Sequence, residues 1–188
     1  MDLDAATDEL YQLPPERFVA RRTELAAQAR ASGDGEARAA LGSLRRPTVA
    51  AWAVNLLVRA RPVELAELVQ LAESLRDAQR ELETDELRRL TTQRRAAVAA
   101  LVAAAREAAH QAGRTVSDPV LLEVQATLDA AVADAGAQRA VLSGRLTTSL
   151  SYSGFGGVDL ADAVAATPPS RARLKVVREA SAADVGRA

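Results

Sequence analysis

Apolar residues recur three and four positions apart along most of this chain, a spacing that favours α-helices sharing one core. One such run resembles a heptad seam with a single polar interruption, and its members are Leu65, Leu68, Ala72, Leu75, Gln79 and Leu82. A second run comprises Leu87, Leu90, Ala97, Val98, Leu101, Ala105 and Ala108. Alanine, the best helix former, supplies 43 of the 188 residues. The sequence predicts an all-α fold, an antiparallel multi-helix bundle with a flexible C-terminal tail.

Proline and glycine mark where the helices begin and end. Prolines at first helical positions and glycines after last turns predict helices over 15–31, 36–44, 84–112 and from 117 onward. Pro62 opens a further helix, which contains the heptad seam. Thr84 is the expected N-cap of the helix over 84–112, and Gly113 ends that helix. A helix over 49–58 is apolar except for Asn55, which places it at the centre of the bundle.

The last part of the chain has a different composition. Residues 147–157 lack helical periodicity and are rich in Ser, Gly and Thr, so they predict a loop or extended chain. A weak helix is expected over 159–166, and Pro168 and Pro169 then open a linker. We therefore expect a helical bundle domain over residues 1–166, followed by a linker and mobile tail over 167–188.

Composition limits the chemistry that the chain can perform. Cysteine is absent and His110 is the only histidine, which excludes a disulfide scaffold, a thiol nucleophile and a metal site built on two histidines of one chain. We expect no enzymatic activity, no cofactor and no metal. The acidic start of the chain and its short uncharged runs also predict a cytoplasmic protein without membrane spans.

Charge is segregated although the net charge is only −1. Residues 17–61 contain nine arginines and three acidic residues, whereas residues 1–16 are acidic. Internal pairing of acidic with basic segments is one interpretation, and a basic face for nucleic acid is the other. The candidate phosphate or other anion contacts are Arg45, Arg46, Arg59, Arg61, Arg94 and Arg95.

The segment 39–57 resembles a helix-turn-helix, because a Leu-Gly turn is followed by Arg-Pro-Thr-Val and Trp52. It has one residue too many between Gly42 and Pro47, and its second helix offers few side chains that read bases. Core packing of Trp52 is therefore the favoured interpretation. Asn55 is a candidate buried polar residue or ligand contact, since a lone amide on an apolar helix usually satisfies a backbone group.

Three segments resemble a family of helical proteins from actinobacteria with GC-rich genes. They are 11–22 (YQLPPERFVARR), 44–55 (LRRPTVAAWAVN) and 144–156, which contains GRL and YSGFG. The resemblance covers about residues 10–157 and implies no activity or catalytic residue. We therefore expect a non-enzymatic protein that acts through protein-protein contacts, with an unknown partner or by self-association. The alternative is a nucleic-acid-associated protein.

Overall fold

The computed structural model describes residues 1–151 and 163–165, which contain eight α-helices. The helices are α1 (Leu3–Gln12), α2 (Pro15–Ala31), α3 (Gly35–Ser43), α4 (Val49–Ala60), α5 (Pro62–Glu81), α6 (Thr84–Gln111), α7 (Asp118–Ala133) and α8 (Ala135–Leu142). They pack against one another through apolar faces, so the predicted all-α helical bundle is confirmed.

Most helix boundaries follow from the residues that were expected to set them. Pro15 and Pro62 begin α2 and α5, where a residue without an amide proton costs no hydrogen bond. Gly113 follows the last turn of α6 with a φ of 84°, a left-handed conformation that glycine adopts without strain. The predicted N-cap Thr84 is wrong by one position, because Glu83 occupies the cap and Thr84 is the first helical residue.

One helix and two positions of the seam differ from expectation. Helix α1 was not predicted from the sequence, and Asp2 caps it by accepting a hydrogen bond from the Ala5 amide at 3.0 Å. The seam of α5 includes buried Ala78, while Gln79 is exposed. Leu82 lies outside the seam because it ends α5 in the left-handed conformation, 82% exposed.

Helix α4 lies at the centre of the fold, where it contacts α1, α5, α6, α7 and α8. Residues 50–55 are all buried, as an all-round apolar helix predicts. One core cluster joins α4 to α5, α6, α7 and α8, and a smaller one joins α1, α2 and α3 around Tyr11 and Phe18. Trp52 packs against Ala109, Val116 and Leu121.

The described residues after α8, 143–151 and 163–165, form no helix. Leu146 forms an isolated antiparallel bridge with Val164, and the Thr147 amide donates to the Ala163 carbonyl at 2.8 Å. The helix predicted over 159–166 is therefore wrong at residues 163–165, where backbone pairing with residues 145–147 replaces helical hydrogen bonds. The predicted tail, 167–188, and the Gly-Phe-Gly segment lie outside the described residues.

Candidate functional site

Asn55 uses both ends of its side-chain amide to hold the segment 145–150. Its Nδ2 donates to the Leu146 carbonyl at 3.0 Å, and its Oδ1 accepts from the Leu146 amide at 2.8 Å. Asn55 is fully buried, so each of these bonds satisfies a backbone group that has no access to water. The Asn55 side chain therefore stabilises the fold. Trp52 also stabilises it, because its Nε1 donates to the Gln12 carbonyl at 3.1 Å.

Thr127 of α7 performs the corresponding task at the other end of the same segment. Its hydroxyl is buried and accepts from the Leu150 amide at 2.9 Å, while donating to the Glu123 carbonyl at 2.8 Å. Thr127 was not among the residues predicted from the sequence. A threonine in a helix commonly bonds to the carbonyl four residues earlier, so its spacing alone carries no sign of a second role.

Arg45 and Arg46 are exposed just before α4. The Arg45 carbonyl accepts a hydrogen bond from the Tyr11 hydroxyl at 2.8 Å, which fixes the backbone there. Thr48 caps α4 by accepting from the Ala51 amide at 3.2 Å, and its own amide donates to the Thr147 carbonyl at 2.9 Å. Two of the amides at the start of α4, those of Thr48 and Ala51, are thus occupied by internal hydrogen bonds.

The other four candidate arginines lie in different surroundings. Arg59 pairs with Asp8 at 3.3 Å, and Arg61 pairs with Glu64 at 3.8 Å. Arg94 is half-buried on α6, with a buried Nε that has no hydrogen-bond partner among the described residues. Arg95, next to it, is exposed. The six residues therefore differ in burial and in pairing.

The acidic first segment pairs with arginines from distant parts of the chain. Arg145 contacts Asp4 at 3.0 Å and Asp8 at 2.8 Å, and Arg114 contacts Glu16. Burial opposes the charge of Arg145, but its hydrogen bonds to Asp8 and Asp4 outweigh this and raise the pKa of its guanidinium. The acidic N-terminal segment thus compensates the charge of some of the arginines.

A groove of about 790 Å³ runs between α5 and α6. Its lining is mostly alanine and leucine with charged groups at one end: Arg61, Glu64, Glu67, Leu71, Gln93, Ala96, Ala97, Ala100, Leu101 and Ala104. Beside the groove, α6 also exposes Ala99 and Ala103 to solvent. From the sequence, α6 was predicted to have a buried stripe but not this surface. The uncharged run over 96–105 is the signal that could have indicated it, because Ala96, Ala99, Ala100 and Ala103 of this run are exposed on the side of α6 that faces away from the core.

His110 lies in the last turn of α6, beside a cleft of about 680 Å³ where α6 meets α7. The Arg106 guanidinium donates to Asp118 at 2.8 Å across the mouth of this cleft. Within residues 1–151 and 163–165 no three His, Cys, Asp or Glu side chains are grouped so that they could hold a metal ion.

Among the described residues, no helix combines the length and apolar character that crossing a membrane requires. Comparison of the chain with known protein families, with curated proteins and with solved structures found no match. The resemblance to an actinobacterial family stays a prediction, and function has to be argued from the residues of this chain.

Proposed function

We propose that this protein is a non-enzymatic helical protein that acts through protein-protein contacts, with the groove between α5 and α6 as its contact surface. The observation that carries the proposal is the open groove between the two longest described helices, 20 and 28 residues in length, with alanines of α6 as one of its walls. We also propose a cytoplasmic location, as the sequence predicts.

The shape and chemistry of the groove suit a helix or an extended peptide of a partner chain. Alanine side chains let the backbone of a partner approach closely, so that dispersion contacts accumulate along the groove. Arg61, Glu64 and Glu67 at one end would fix the orientation of the partner by charge. Leu71 and Leu101 supply the larger apolar surface.

The interior polar groups support a non-enzymatic function. Most of the buried polar side chains among the described residues make hydrogen bonds to backbone groups of their own chain. They are Asn55, Thr127 and Thr7. The Tyr11 hydroxyl does the same at Arg45. These groups stabilise the fold, and none of them faces the groove lining.

The arginine pairs weigh against the nucleic-acid alternative. A guanidinium that already contacts a carboxylate gains less from a phosphate, because the existing pair must be broken. Arg59 and Arg61 are in this position. Arg46 and Arg95 are exposed and far apart in sequence, so they would contribute a salt-dependent contact of low specificity.

Site-specific photocrosslinking tests the proposal. A photoreactive amino acid replaces Ala100 in the groove wall or, as the control, exposed Ala27 on α2, in cells of the source organism. Protein adducts are expected at position 100 and absent at position 27. Equal labelling at both positions, or no adduct at position 100, would refute the assignment of the groove.

A binding titration tests the alternative. Labelled duplex DNA and single-stranded RNA are titrated with the protein at low and at physiological salt, with fluorescence anisotropy as the readout. We expect no binding at physiological salt. Tight binding that is lost when Arg45 and Arg46 are both replaced by alanine would replace our proposal with the nucleic-acid function.

A further inference from the structure

One line of exposed residues on α6 has opposite charges at its two ends. Arg95, Ala99, Ala103 and Glu107 follow one another at intervals of four, so they form a single ridge on the helix surface. All four are exposed. At 1.5 Å per residue the ridge is about 18 Å long, and its charged ends lie about 9 Å on either side of its midpoint.

The two charges at the ends of this ridge have no ion-pair partner among the described residues. Most arginines near them are paired: Arg106 with Asp118 at 2.8 Å, Arg88 with Asp85 at 3.5 Å and Arg89 with Glu86. Glu107 only accepts a hydrogen bond from Gln111 at 2.8 Å. Arg95 and Glu107 are therefore available to a partner on the same face.

A ridge that is positive at one end, apolar in the middle and negative at the other is complementary to itself when reversed. We propose that the partner of this surface is a second copy of the chain, with the two α6 helices crossing in antiparallel orientation. Arg95 of each copy then faces Glu107 of the other, so a two-fold axis generates two identical ion pairs. Ala99 and Ala103 of both copies meet at the crossing point.

Alanine at the crossing point permits the close approach that this arrangement needs. Ridges built from residues four apart interlock when two helices cross at about 50°. A second α6 on the ridge would also cover Ala96 and Ala100 of the adjacent groove wall, which adds apolar area to the contact. This pairing rests on the proposed function, in which a second copy of the chain is the partner.

Charge reversal with rescue tests this pairing. Sedimentation velocity of the full chain at about 1–100 µM should show a concentration-dependent dimer. Either Arg95→Glu or Glu107→Arg alone places like charges opposite each other twice, and should weaken dimerisation about tenfold. The double variant recreates both pairs with the charges exchanged, and should restore the dimer to within a few-fold of the original.

The control variant is Arg38→Glu, which reverses an exposed arginine on α3 and should leave the dimer unchanged. Far-ultraviolet circular dichroism verifies that each variant is folded. A chain that stays monomeric throughout, or a double variant as weak as the single ones, would overturn the antiparallel pairing. Photocrosslinks from position 100 to a different protein, together with a monomeric chain, would overturn self-association and keep the proposed function.

Discussion

Replacing Asn55 by alanine should lower the free energy of unfolding by about 2–6 kcal/mol. The substitution removes the partners of two buried backbone groups of Leu146, its amide and its carbonyl. Each buried group left without a partner costs about 1–3 kcal/mol. The loss is large because a domain of this size is stable by only about 5–15 kcal/mol.

Asn55→Asp keeps the size of the side chain and makes the loss depend on pH. A carboxylate can accept from the Leu146 amide, but it faces the Leu146 carbonyl and is buried, so the folded state favours the protonated acid. The pKa of the new carboxyl is therefore raised above its unfolded value of about 3.9. The contribution of the protonated carboxyl to the free energy of unfolding is fully present below that value and is lost as pH rises through the folded-state pKa.

Urea unfolding followed by the fluorescence of Trp52, the single tryptophan, measures both effects. The deficit of Asn55→Asp relative to the natural chain should be largest at neutral pH and shrink near pH 4. Gln70→Glu, an exposed change on α5, serves as the control and should show no such trend. A cost below about 1 kcal/mol for Asn55→Ala, or a deficit of Asn55→Asp that does not shrink in acid, would refute the assigned role.

Three further predictions concern single positions. Thr127→Val removes the acceptor of the Leu150 amide and should cost about 1–3 kcal/mol in urea unfolding; a cost near zero would contradict the bond. Leu82→Gly should raise the unfolding free energy by about 0.5–1 kcal/mol, because Leu82 is exposed with a φ of 58°; a lower stability in thermal unfolding would argue against strain there. Burial raises the pKa of Tyr11 to about 12, above its unfolded value of about 10. The contribution of the protonated Tyr11 hydroxyl to the free energy of unfolding is therefore present below about pH 10 and is lost as pH rises toward 12. Tyr11→Phe should remove this alkaline loss in unfolding measured across that range, and an unchanged slope would exclude Tyr11 as its source.

Helices were predictable where one side of a segment faces the core. The prolines that begin α2 and α5 and the glycine that ends α6 act locally, so the sequence alone placed those boundaries. Helix α1 was missed because one of its four buried residues is polar, Thr7, which bonds to the Leu3 carbonyl at 2.7 Å. In the last turns of α5 the buried position is Ala78 and Gln79 is exposed, a difference of one position that the apolar spacing did not indicate.

The contacts of the candidate residues were less predictable, because they join distant parts of the chain. The sequence indicated that Asn55 sits on an apolar helix, but not that Leu146 supplies both of its partners. It indicated that acidic and basic segments exist, but only folding brings Arg145 to Asp4 and Asp8. The groove between α5 and α6 depends on how two helices separate, which the period of each helix does not determine.

The hydrogen bonds of the segment 145–150 also constrain the order in which the chain folds. Asn55 and Leu146 are 91 positions apart, and Arg145 and Asp4 are 141 positions apart. Closing such long loops costs entropy that only an assembled bundle repays, whereas α5 and α6 meet through a two-residue turn. We therefore expect the segment to dock after the α5–α6 hairpin has formed. A segment that docks last can undock while the bundle stays folded, so hydrogen exchange at the Leu146 amide should report this undocking, whereas exchange at buried turns of the hairpin should report opening of the whole fold.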